Sequence, residues 1–168
     1  MHTSGAARND IAILGEPTDA RIEAGCQGTL RLRVQLQGVR AHTARPWMGR
    51  NAVHRLAGVL AALDSYEARS PIIDGCQFRE ALQAVAIDGG VSGNVVPDSA
   101  SVTVNFRFAP DRSALDAETH IRELFAPFLE EGDVVDVLDV ANAAAPGLNH
   151  PLLASLIERS GSQVLAKL

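Results

Sequence analysis

The chain has 168 residues, 46% hydrophobic and 21% charged, with a net charge of −5 at pH 7. That balance suits one well-cored globular domain, or a small domain with pieces attached, and excludes a chain that is disordered throughout. The 15 basic residues stand against 20 acidic ones with no basic block, which argues against a nucleic-acid partner, because that binding rests on clustered cations.

No apolar run approaches the roughly 20 residues that cross a bilayer. The start "MHTSGAARND" lacks the basic residues and apolar core of a secretory signal. The expectation is a cytoplasmic protein without a membrane partner. Cys26 and Cys76 have no second thiol or histidine at zinc-site spacing, and both read as small buried hydrophobes.

In chain order, "DIAIL" at 10–14 is a short apolar run ended by "GEPT", which predicts a buried strand of a parallel sheet. Residues 29–37, "TLRLRVQLQ", alternate strictly: Leu30, Leu32, Val34 and Leu36 on one face, Arg31, Arg33, Gln35 and Gln37 on the other. At 51–68, Val53, Leu56, Ala57, Leu60 and Leu63 recur at helical spacing behind Asn51. Residues 80–88 predict a strand, "GGVSGNVVPDSA" a turn-rich connection, and 101–108 a second alternating strand with Val102, Val104, Phe106 and Phe108 inward. A helix capped by Asp111 or Ser113 follows, kinked or ended near Ala126 by Pro127, and then a strand at 134–140.

Strand, helix, strand, strand, helix, strand is the order of a ferredoxin-like α+β fold, a four-stranded antiparallel sheet with both helices on one face. The flanks do not belong to it. "PLLASLIERSG" predicts a helix and "SQVLAKL" a strand, so both flanks read as parts of a second domain into which the central unit is inserted. The expected division is 1–27, 28–142 and 143–168.

Few side chains in this pattern offer chemistry. Glu16 lies where a strand of an open α/β sheet ends, the usual place for a ligand, but a lone loop glutamate fits the position as well. His42 lies just past the first alternating strand, where an imidazole can stabilise an oxyanion or can be an ordinary turn residue. Asn94 can orient a substrate or occupy a left-handed turn. Arg107 can bind a carboxylate through paired donors or be solvated on the sheet face. His54 and His120 read as helix-surface positions.

Taken together, "ILGEPT", "GCQGTLRLRVQLQGVRAHTARPWMGRNAVHRL" and "GGVSGNVVPDSASVTVNFRFAPD" resemble, in order and spacing, the M20 metallopeptidase family, and within it the desuccinylase branch. The resemblance implies a two-metal hydrolase of linear amides, with zinc or cobalt as the metal, whose catalytic domain is interrupted by a ferredoxin-like lid that forms a homodimer. It implies that Glu16 is a metal ligand and that His42 reaches the active site of the partner subunit to hold the oxyanion of the tetrahedral intermediate. It also implies that Asn94, Arg107 and Thr29 bind the small N-acyl amino-acid substrate.

Two departures accompany it. Many desuccinylases carry "RRGS" where this chain has Cys26-Gln27-Gly28-Thr29, which keeps acetylornithine deacetylases and aminoacyl peptidases open as relatives. The family's other metal-ligand motifs have no counterpart here, so the expectation is an internal portion of such an enzyme, inactive alone. A self-contained ferredoxin-like dimerisation module is the competing class.

Overall fold

The computed structural model describes residues 13–15, 17–19 and 21–167. In chain order the strands and helices are β1 (Ile22–Ala24), β2 (Gly28–Gln37), β3 (Ala41–His42), α1 (Ala52–Asp64), β4 (Ile72–Ile73), β5 (Cys76–Gln77), β6 (Ala81–Gly89), β7 (Val95–Val96), β8 (Ser99–Phe108), α2 (Ala114–Phe125), β9 (Val134–Ala141), α3 (Pro151–Ser160) and β10 (Val164–Ala166).

Four of the strands form one antiparallel sheet in the order β6-β8-β2-β9. This is the ferredoxin-like arrangement that the alternating patterns predict. Leu30, Leu32, Val34 and Leu36 on β2 and Val102, Val104, Phe106 and Phe108 on β8 are all fully buried. They meet Leu56 and Val59 of α1 and Ile121 and Phe125 of α2 in a single core. Burying each such side chain contributes roughly 1.5–3 kcal/mol relative to exposure, so the period-two pattern alone commits one face to the helices. Gly28 opens β2 because a Cβ there would sit 2.1 Å from a ring carbon of Phe108.

Both helices start as the sequence implies. The Asn51 side chain accepts hydrogen bonds from the Val53 and His54 amides, and Ser113 with Asp116 forms a reciprocal capping box on α2. α1 ends at Asp64, four residues earlier than its periodicity suggests. There the Ser65 hydroxyl donates to the Ala61 carbonyl at 2.9 Å, and Tyr66 turns inward instead, its ring edge-on to Phe106. Pro127 ends α2 at Phe125, and a short 3-10 turn continues to Phe128.

The flanks meet each other. β1 pairs in parallel with β10, and Cys26 bridges to Ala144. A small second core of Ala24, Cys76, Phe78, Ala109 and Ala166 joins them to the β4–β5 hairpin. Three sequence expectations need correction here. Cys26 is exposed, because the strand edge that turns Gln27 inward turns its neighbour outward; only Cys76 is buried. His120 is half-buried, since its ring packs against Tyr66 and Phe106. Of the strand expected at 10–14, residues 10–12 lie outside the described residues, whereas Ile13 and Leu14 are unpaired and each 75% exposed. A buried parallel strand needs a paired neighbour and cover on both faces of its sheet, and the described part of the flank offers only the short β1–β10 ladder.

Candidate functional site

The stretch 38–50 between β2 and α1 is a loop held shut at its base. Val39 and Arg50 exchange both backbone hydrogen bonds at 2.8 Å, and the Gly38 amide donates to the Asp98 carbonyl. A Cβ on Gly38 would meet the Arg50 carbonyl oxygen at 2.2 Å, so only glycine allows this closure. Two arginines brace the outside. Arg40 donates to Asp98 at 2.9 Å, and Arg50 forks onto Glu130. These bonds hold the Asp98 and Glu130 carboxyls below the usual carboxylate range. Beneath them Arg55 binds Asp133 at 2.6 Å, with the Asp133 side chain fully enclosed. Burial alone would raise the Asp133 carboxyl, but the Arg55 bond and the Gln37 and Glu130 amides outweigh it, and its net pKa is lowered.

The loop carries β3, which pairs with β7 and extends the β2–β8 ladder beyond the end of the sheet. His42 is opposite Val95, and the Thr43 amide donates to the Asn94 carbonyl at 3.0 Å, so His42 and Asn94 stand side by side. The His42 ring is exposed and its Nδ1 accepts from the Ala44 amide at 3.0 Å. While Nδ1 accepts that bond, the ring N–H is on Nε2, which can donate to a group that approaches the tip. Asn94 Oδ1 accepts from the Ser92 hydroxyl at 2.8 Å, leaving its amide NH2 to donate. Asn94 does not have positive φ, so the left-handed-turn alternative is excluded. Trp47, Met48, Val39 and Val91 are exposed around the same tip, Trp47 by 78%.

Thr29 and Arg107 occupy the other end of the sheet. They face each other across β2 and β8, and Arg107 Nη1 donates to Thr29 Oγ1. Thr29 and Gln37 are eight steps apart along extended chain, about 26 Å at strand rise, and His42 lies farther on. The expected site residues therefore fall into two pairs at opposite ends of one sheet. Glu16 lies outside the described residues. Among the described residues no group of three or more His, Cys, Asp or Glu side chains could hold a metal ion.

The sequence gives no sign of the polar cluster behind Arg107. Glu80, with its side chain fully enclosed, accepts from Arg69 and from the Ala109 amide and pairs with Arg112 at 3.2 Å. Arg69 also forks onto Asp111, and both partners push its already high pKa further up. The four charged residues lie up to 43 positions apart, so only the fold reveals them as one unit.

Residues 25–133 match the model of the M20 peptidase dimerisation domain. This chain belongs to the M20 peptidase family. A succinyl-diaminopimelate desuccinylase of Corynebacterium glutamicum is 44% identical over 154 residues, 92% of this chain and 42% of that protein. A Mycobacterium tuberculosis relative carrying the name DapE is 54% identical over 159 residues, 94% of this chain and 44% of its own length. The chain thus spans less than half the length of these curated relatives. Among solved structures, an M20 metallo-carboxypeptidase from Sulfolobus solfataricus superposes with a TM-score of 0.64 at 12% identity, over 88% of this chain and 46% of that one. An aminobenzoyl-glutamate utilization protein from Klebsiella pneumoniae gives 0.60 at 22% identity, over 89% of this chain and 38% of that one. At such identities these two structures establish the fold. No described helix is long and apolar enough to cross a membrane.

Proposed function

We propose that this M20 chain is the lid and dimerisation region of a metal-dependent desuccinylase that cleaves N-succinyl-LL-2,6-diaminopimelate to succinate and LL-diaminopimelate in the cytoplasm. In this reading residues 28–142 are the lid, and 1–27 and 143–168 are its connections to the catalytic domain. The desuccinylase of Corynebacterium glutamicum and the relative that carries the name DapE support the substrate. The free thiols of Cys26 and Cys76 suit a reducing compartment.

One observation carries the reading of the lid: His42 and Asn94 share an exposed tip a full sheet length from Thr29 and Arg107. A small N-acyl amino acid cannot touch both pairs of one subunit. Two subunits, each offering its His42 tip to the other, can supply both to a single substrate. His42 Nε2–H then donates to the oxygen that gains negative charge as the amide carbonyl becomes tetrahedral, and Asn94 NH2 adds a second donor. Docking of Trp47 and Met48 against the partner would exclude water and strengthen those bonds. At the other end Arg107 would hold a substrate carboxylate beside Thr29. The described residues do not assemble a metal centre. In this reading zinc would be held by residues other than the described ones, Glu16 among them, and would serve to activate a water.

The dimer in this proposal forms along β6. This edge strand carries exposed Val85 and Ile87 and only one charged residue, Asp88, whereas the opposite edge β9 is guarded by Asp136 and Asp139. Antiparallel pairing of β6 with its twin makes an eight-stranded sheet. In sedimentation equilibrium the chain should have twice its 17.8 kDa mass. The double variant Val85→Lys, Ile87→Lys should be monomeric with an unchanged circular dichroism spectrum. A monomeric parent, or a double variant that still dimerises, would contradict the β6 interface.

A further inference from the structure

The helix-free face of the sheet holds an arrangement that Arg107 alone does not explain. Strand register lines up Ala81, Arg107, Thr29 and Ala141 in one row, and Gln83, Asn105, Arg31 and Asp139 in the next. Directly opposed side chains on one face have Cβ atoms about 4.5–5.5 Å apart and diagonal ones about 7–8 Å. The flexible stems of Arg31 and Arg107, which are diagonal neighbours, therefore reach the same patch. The alanines at both ends of the first row leave that patch open.

Three observations on these rows belong together. Arg31 is exposed and, among the described residues, its guanidinium has neither an ion pair nor a hydrogen-bonded partner, although Asp139 is its register neighbour. One row further on, Arg33 does pair with its own register neighbour Asp136, at 3.1 Å. Between the stems of Arg31 and Arg107 lies Asn105, whose buried Oδ1 has no hydrogen-bond partner among the described residues. A buried acceptor without a donor is rare in native sheets and calls for an explanation. A single anion supplies one: a carboxylate that draws the two guanidinium groups together also brings an N–H over Asn105 Oδ1.

We propose that Arg31 and Arg107 form a two-guanidinium clamp for a carboxylate of a small-molecule substrate, with Asn105 as the positioning residue that orients it. The clamp rests on the reading of Arg107 as carboxylate-binding and adds two residues that discriminate for acidic substrates. Paired planar forks suit a carboxylate, which accepts two parallel N–H bonds from each.

The test is a titration of the 15N-labelled 168-residue chain with succinate, followed by NMR at the arginine Nε–H and asparagine side-chain amide resonances. The Arg31, Arg107 and Asn105 signals should move together with one dissociation constant. Arg31→Lys, which keeps the charge but loses the fork, should weaken binding roughly tenfold, the loss of one charge-assisted bond. Asn105→Asp should abolish it by placing a carboxylate inside the clamp. Movement of Arg107 alone, no movement at all, or an Arg31→Lys variant that binds like the parent would overturn the clamp. Hydrolysis and dimer formation, which test the proposed function, are read separately and are untouched by that result.

Discussion

His42→Ala in the enzyme built around this lid should lower kcat by about a hundred- to a thousandfold while KM changes little. That is the effect of removing one donor that acts on charge developing in the transition state. The geometry makes a narrower statement as well. Because the Ala44 amide occupies Nδ1, the proposed contribution of His42 would come from Nε2–H donation and would not require the ring to be a cation. His42→Gln, whose amide NH2 can stand near the lost Nε2, should therefore recover part of the rate, whereas His42→Ala recovers none. Steady-state kinetics of the two variants decide the matter. Equal losses would mean that the imidazole transfers a proton, and a fall in affinity with unchanged kcat would mean that it only binds substrate.

Glu80→Ala should destabilise the chain by about 3–5 kcal/mol, a large fraction of the roughly 5–15 kcal/mol that holds an ordinary domain folded. The substitution strips partners from Arg69, Arg112 and the buried Ala109 amide at once. Little of the cost reflects net attraction between the charges. Most of it comes from the largely buried Arg112 guanidinium and the buried Ala109 amide losing their acceptor, since Arg69 keeps Asp111. Glu80→Gln, which keeps an acceptor oxygen and the side-chain volume, should lose clearly less. Urea unfolding should show the midpoint fall in the order parent, Gln, Ala at constant slope. A midpoint in the Ala variant within experimental error of the parent would show that water replaces these contacts at little cost. Since Glu80 precedes β6 and bonds the residue just after β8, its loss should also loosen Ala81, Arg107 and the row between them.

The parts of the fold that could be read from the sequence are those whose period is local. Alternation over 29–37 and 101–108 names the buried face directly, and Asn51, Ser113 and Pro127 mark where helices start and stop, because caps and breaks act within one turn. The pairing of His42 with Asn94 was not legible as geometry, since β3 and β7 are two residues each and 53 positions apart, too short to show a period. Only the resemblance of the motifs links the two residues from sequence. Arg40 and Arg50 flank His42 in the string "GVRAHTARPWMGRN", and they brace the loop through Asp98 and Glu130, partners that no local rule could supply. The exposure of Cys26 and the partial burial of His120 escape the sequence for the same reason, because burial at those positions depends on Ala144 and on Tyr66.

The central claim is that the His42 tip serves the active site of the other subunit, and mixing two inactive variants tests it most directly. His42→Ala lacks the donor, and Glu16→Ala lacks the proposed metal ligand. In a two-fold dimer with one half of the molecules mixed, the only competent site combines the metal of the first with the His42 of the second, so about one quarter of parental activity should return on subunit exchange. No recovery on exchange, with mixed dimers demonstrated by mass, would place His42 in its own subunit's site and contradict the account.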